Sequence, residues 1–185
     1  MHPRIASYAL LPIALLPGSA RHCGAQERDA INFNQFPVEV YRGPLKIPRE
    51  FHREPDGKWQ DESGKPASQP QVNFAGEYYL AGHSCGTCCR YYTLNNLRTG
   101  AKVREVSMFD AADSNPHLTR DGRTYVPILF FKPRSKLLVV QYELDLCTST
   151  GKNECRQRSF IFAGGHFRAI SRTLRSCTRE GEEPE

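Results

Sequence analysis

Beyond its first segment the chain has no stretch in which apolar residues recur every three to four positions. That excludes a helical bundle and an alternating α/β fold. No uncharged apolar run is long enough to cross a bilayer permanently as a helix. Basic residues outnumber acidic ones, 25 to 20, yet no Lys/Arg block stands out, so a nucleic-acid footprint is excluded. Neither G-x-S-x-G nor H-E-x-x-H occurs, and His83, His117 and His166 each fall in or beside a turn, where a lone histidine is a solvated group before it is a catalyst. Asp110, Asp113, Asn115 and Asp121 carry oxygens but match no twelve-residue calcium loop, so they read as turn residues serving their own backbone. No catalytic residue, metal or cofactor is expected.

What is present begins with Arg4, the apolar run Ile5 to Leu16 broken only by Ser7 and Pro12, and small residues at Gly18, Ser19 and Ala20. This is the three-part layout of a secretory signal peptide over residues 1–25, with cleavage after Ala20 or Ala25. Lipid attachment at Cys23 is disfavoured, because Arg21 and His22 stand where small residues are required. Cleavage after Ala25 removes two of the positive charges and one of seven cysteines. Cys85, Cys88, Cys89, Cys147, Cys155 and Cys177 remain, an even set that reads as a disulfide framework in an oxidising compartment. The expected location is periplasmic or secreted.

Residues 26–72 read as an extended arm followed by an exposed loop. Pro37, Pro44 and Pro48 allow at most an edge strand around Val38 to Tyr41. His52 to Gln71 is polar and turn-rich, with Trp59 as a lid packed on the domain. Residues 73–176 read as the β domain, and 177–185 as a frayed tail.

Within the domain, Phe74 to Leu80 alternates with the two-residue period of a strand, which is expected to end at Gly82. Arg90 to Leu97 and Ala101 to Phe109 read as a hairpin about Arg98-Thr99-Gly100, with a bulge between Val103 and Val106. Tyr125 to Phe131 is apolar on both faces and should be sandwiched. The long alternating strand Leu138 to Asp145 pairs with Arg156 to Ala163, and Gly164-Gly165 forms a tight turn into a last strand. Cys147 and Cys155 bracket the first of these turns and could form a cross-strand bridge, closing a short loop for about 2 to 3 kcal/mol. The fold class is therefore all-β: an antiparallel meander of about seven to eight strands, either a propeller-like open sheet or a sandwich, stapled by disulfides.

The densest stretch is Asn73 to Cys89, NFAGEYYLAGHSCGTCC. Cys85-Gly86-Thr87-Cys88 has thiol–disulfide redox spacing, but that chemistry expects a helix after the motif, and Cys89 to Thr93 reads as strand. Zinc held by His83, Cys85, Cys88 and Cys89 is disfavoured because adjacent strand residues point to opposite faces. Structural disulfides are favoured: Cys85 with Cys88 or Cys89, and the remaining one with Cys177. With Leu97-Arg98-Thr99-Gly100, this stretch resembles a loose group of small secreted or lipoprotein-like bacterial proteins. That group shares Asn-Phe-Ala-Gly, an aromatic two residues on, a Cys-Gly-x-x-Cys turn and a Thr-Gly hairpin. The resemblance implies export and no particular activity. Glu77 stands where the pattern often has His, so no role of that histidine carries over.

The leading expectation is an exported non-enzymatic binding protein, of the type that inhibits, or gives immunity against, an envelope-targeting enzyme. Its partner is another envelope or secreted protein, contacted by His83, Ser84, Thr87, Asp110, Asp113 and Asn115. The alternatives are an exported thiol–disulfide oxidoreductase using Cys85 and Cys88, and a structural envelope component.

Overall fold

The computed structural model describes residues 31–86, 88–111, 117–146 and 154–177. The expected signal peptide, Cys23, Thr87, Asp113, Asn115, Cys147 and the tail beyond Cys177 lie outside them. Among the described residues the chain is all-β apart from two 3-10 helices, Phe33–Gln35 and Arg104–Phe109. The strands are β1 (Phe51–Arg53), β2 (Trp59–Asp61), β3 (Pro66–Ala67), β4 (Tyr78–Gly86), β5 (Cys89–Asn96), β6 (Tyr125–Phe131), β7 (Leu137–Leu144), β8 (Glu154–Ala163) and β9 (His166–Ala169). All pairings are antiparallel, in sheets ordered β1-β2-β3, β4-β5 and β6-β7-β8-β9.

The four-stranded sheet forms as its sequence demands. Leu137 to Val140 are buried consecutively because β7 lies between β6 and β8 and is covered on both faces. Gly164 and Gly165, both at positive φ (59° and 86°), make the two-residue turn into β9. Onto this sheet the β4–β5 hairpin lays one face. Leu80, Tyr92 and Leu94 pack with Phe74, Val106 and Phe109 against Leu138, Val140, Phe160, Phe162 and Phe167. The opposite face of the hairpin carries Tyr79 and, just past β5, Leu97. Both pack with Phe51 in a second cluster, and Trp59, Ala67 and Val72 close over it. The hairpin is thus the middle layer between the small meander and the large sheet. Sheets of three, two and four strands stacked in this way do not support the propeller-like alternative, which needs repeated blades around a channel.

Four local readings are corrected. The strand expected from Phe74 begins only at Tyr78, and it runs past Gly82 to Gly86. Phe74 to Glu77 is a turn that folds back on itself, with Ala75 at φ 43° and Gly76 at φ 81°. Phe74 and Tyr78 exchange backbone bonds of 3.1 and 3.0 Å. Ala101 to Phe109 is not the second arm of a hairpin. Its Val106 and Phe109 are three residues apart because they share one face of a 3-10 helix, where i and i+3 eclipse. The supposed exposed loop His52 to Gln71 holds β1 to β3, whose turns use Gly57 and Gly64 at positive φ.

The cysteines also pair differently from expectation. Cys85 pairs with Cys89, one of the two options left open, and Cys88 is also disulfide-bonded. Cys155 pairs with Cys177 rather than with Cys147. The chain after β9 returns along β8, where Leu174 and Gln157 exchange backbone bonds of 2.8 and 3.0 Å, and this brings Cys177 alongside.

The arm is tied to the domain by backbone bonds. Val38 donates to the Arg134 carbonyl at 2.9 Å, Tyr41 to Gly76 at 2.7 Å and Lys46 to Leu97 at 2.7 Å. Among the described residues no helix is long and apolar enough to cross a membrane.

Candidate functional site

The outer half of β4 and the meander that faces it bring three largely buried polar side chains, Asp61, His83 and Thr93, together beside a cavity. Asp61 ends β2 at the start of a four-residue turn. Its Oδ1 accepts from the N–H groups of Ser63 and Lys65 at 2.9 and 3.0 Å, the self-capping habit of aspartate in turns. Its Oδ2 lies 3.4 Å from Nδ1 of His83, and Nε2 of His83 lies 2.9 Å from Oγ1 of Thr93. The imidazole stacks on Tyr91 with centroids 4.5 Å apart and on Phe51 at 6.0 Å. Burial works against ionisation of Asp61, but the N–H groups of Lys65 and Ser63, then His83, outweigh it. They hold the carboxyl below its ordinary value. Asp61 therefore stabilises the fold above the pKa of the unfolded carboxyl. That contribution is lost as acid titrates it through its lower native value.

Carboxylate, imidazole and hydroxyl in sequence is the order of a nucleophilic triad, but the geometry assigns these three another task. Thr93 is 7% exposed and does not line the neighbouring cavity, so its hydroxyl meets no substrate-sized space. The relay instead bolts β2 to β4 and β5 across the second hydrophobic cluster. His83, expected in a turn and in partner contact, is a strand residue whose side chain is buried, because register with Tyr91 turns it toward Phe51.

The cavity beside the relay has a volume of 560 Å³ and lies between Ala67–Gln69 of the meander and Ala81–Ser84 of β4. Lys65 reaches across one end, its Nζ donating to the Ser84 carbonyl at 2.6 Å. At the other end the Asn73 amide holds both backbone groups of Leu80, accepting from its N–H at 2.8 Å and donating to its C=O at 2.9 Å. Of the expected contact residues, Ser84 is exposed here, its hydroxyl donating to the Gly86 carbonyl at 3.2 Å.

Asp110 is positioned elsewhere and for a different purpose. It follows the second 3-10 helix and accepts from the Tyr92 N–H at 2.8 Å, closing the free edge of β5. Burial pushes its carboxyl above the ordinary value, opposed in part by that N–H and by His117 and His83. A raised native pKa favours the protonated form, so stability falls as pH rises from the unfolded pKa through the native one. Asp110→Asn keeps an acceptor for Tyr92 and removes the ionisation. Its urea midpoint should exceed that of the parent at about pH 7 and match it at about pH 3; a lower midpoint at neutral pH would overturn this account.

Sequence reasoning missed Asp61, Lys65, Asn73 and Gly82 as parts of one site. The turn signal Asp61-Glu62-Ser63-Gly64 is visible in the sequence, but its pairing with His83 spans 22 residues and no local period announces it. Among the described residues no cluster of three or more His, Cys, Asp or Glu could hold a metal ion. Comparison with known proteins finds no matching family, no similar curated protein and no similar solved structure.

Proposed function

We propose that the protein is an exported, non-enzymatic binding protein that docks on another envelope or secreted protein, as an inhibitor or immunity-type partner does. The observation that carries this reading is the outer end of β4: exposed backbone beside an open cavity, mounted on a rigid, disulfide-stapled sheet. Rigid scaffolds with exposed edges and turns suit recognition, because little ordering entropy is lost on docking. Two disulfides, Cys85–Cys89 and Cys155–Cys177, fit an oxidising compartment, and kinship with the small secreted proteins noted above belongs to the same proposal.

The oxidoreductase alternative is weakened by two features. Cys85 is joined to Cys89 rather than to Cys88, and β4 runs on through Gly86, with no helix amino terminus among the described residues of the motif to activate a thiol. The test is chemical cross-linking of the tagged, oxidised chain in its native host, followed by mass spectrometry of envelope and cytosolic fractions. One recurrent, saturable partner in the envelope fraction is expected. No saturable partner, or insulin-reducing turnover that a Cys85→Ser variant loses, would overturn the proposal.

A further inference from the structure

The backbone of β4 presents alternate residues to β5 and to its outer edge. Tyr78, Leu80, Gly82 and Ser84 sit opposite Asn96, Leu94, Tyr92 and Arg90. Tyr92 and Arg90 turn their N–H groups away from β4, to Asp110 and Ala111, so these are non-bonded pairs and their β4 members point outward. Two of the four outward positions are occupied and a third, Ser84, has only its carbonyl taken. Tyr78 bonds back to Asn73 and Phe74. The Asn73 side chain meets Leu80 with the paired donor and acceptor that a neighbouring strand would offer. Lys65 takes the carbonyl of Ser84. Gly82 has neither its N–H nor its C=O bonded outward among the described residues, and it opens into the 560 Å³ cavity.

We infer that this edge is a slot for an extended peptide segment of a partner protein, which adds as a strand beside β4 through Gly82 and carries an acidic side chain opposite Lys65. The backbone of Gly82 supplies one donor and one acceptor to such a strand, and the Ser84 N–H supplies a second donor. Pairing to an exposed edge is a common way of binding peptides, with main-chain bonds giving affinity and side-chain pockets giving selectivity. The acidic preference follows from the lining. Lys65 brings an ammonium to the rim, whereas the carboxylate of Asp61 is turned inward onto Ser63, Lys65 N–H and His83. The far wall, Ala67 to Gln69, is held to β4 by Tyr79, whose hydroxyl donates to the Ser68 carbonyl at 3.2 Å, so the slot keeps its width.

This inference rests on the binding reading, and the experiment separates the two. The probes are capped eight-residue peptides of alternating Thr and Val, with a single Glu, Gln or Lys scanned along them. Each is titrated into the oxidised, isotope-labelled full chain and followed by amide NMR. The Glu series should shift the Gly82 and Ser84 amides saturably and slow exchange of the Gly82 N–H. The Gln series should bind about threefold more weakly, the size of one exposed ion pair. Lys65→Glu should invert the preference toward the Lys series. Gln69→Trp, which fills the slot from an exposed wall position, should abolish binding in all three.

No saturable shift at Gly82 with any peptide at millimolar concentration overturns the slot, as does binding that Gln69→Trp leaves intact. An unchanged preference in Lys65→Glu overturns the acidic occupant. Concentration-dependent dimerisation that shifts Gly82 without peptide assigns the edge to a second copy and also overturns it. If the native partner cross-links equally well to parent and Gln69→Trp, the slot fails while the binding function stands. If no partner is found at all, the function fails while the titration still decides the slot.

Discussion

Phe74→Ala is expected to lower the stability of the oxidised protein by about 3 to 5 kcal/mol, the range for removing a fully buried aromatic ring. Phe74 has no exposed surface, and its ring meets those of Phe131, Phe162 and Phe167 at centroid distances of 6.0, 5.4 and 6.2 Å. Three of its neighbours belong to three strands of the large sheet, whereas Phe74 itself comes from the turn that precedes β4. No single side chain can shift inward to fill the void, because each is already fixed by its own strand register. Leu118→Ala is the matched control, since Leu118 is 59% exposed and should change stability by less than about 0.5 kcal/mol. Equilibrium urea unfolding with the disulfides intact measures both. A loss under about 1.5 kcal/mol for Phe74→Ala would show that the turn is not anchored by this ring.

The large sheet was legible because its signals are local. The apolar run of β7 with its alternating second half, the Gly164-Gly165 turn and the bordering apolar runs each specify pairing between neighbours in sequence. Three other features were misread for identifiable physical reasons. A tight turn that happens to alternate apolar and small residues looks like a strand, and only the positive φ of Ala75 and Gly76 distinguishes it. A 3-10 period of three falls between the periods of strand and α-helix, so in sequence Ala101 to Phe109 reads as a strand bulged between Val103 and Val106. Turn residues spaced a few positions apart announce loops and short meanders alike, and the second hydrophobic cluster, not local propensity, decides for the meander.

Long-range partners were the least legible of all. Cysteines at opposite ends of a hairpin loop are the economical pairing in sequence, yet Cys155 faces Cys177 because a bridge between Leu174 and Gln157 returns the chain there. In sequence His83 and Asp110 read as contact residues, polar groups in turn-like stretches. Both face inward, held by Thr93 and Asp61 in one case and by the Tyr92 N–H in the other. Beside them the described residues expose Ser84 and the backbone of Gly82, and backbone has no signature in composition.

Gly76→Ala should cost about 3 kcal/mol and release the amino-terminal arm. Gly76 has φ 81°, where an L side chain adds strain of about 1 to 3 kcal/mol. A Cβ there would stand 2.4 Å from the Glu39 carbonyl oxygen and 2.8 Å from Cγ2 of Val38, so overpacking adds to the strain. Neither side can yield easily. Gly76 donates to the Pro133 carbonyl at 2.9 Å and accepts from the Tyr41 N–H at 2.7 Å, which pins the turn between the large sheet and the arm. Gly164→Ala isolates the conformational part, because Gly164 is also at positive φ, 59°, but has nothing within 4 Å of its would-be Cβ. That variant should lose only about 1 kcal/mol. The excess in Gly76→Ala is then the contact with the arm, and it should be accompanied by faster tryptic cleavage at Arg42 and Lys46 under native conditions. Equal losses in the two variants, with the arm no more sensitive to trypsin, would mean that the arm is held by something other than this turn.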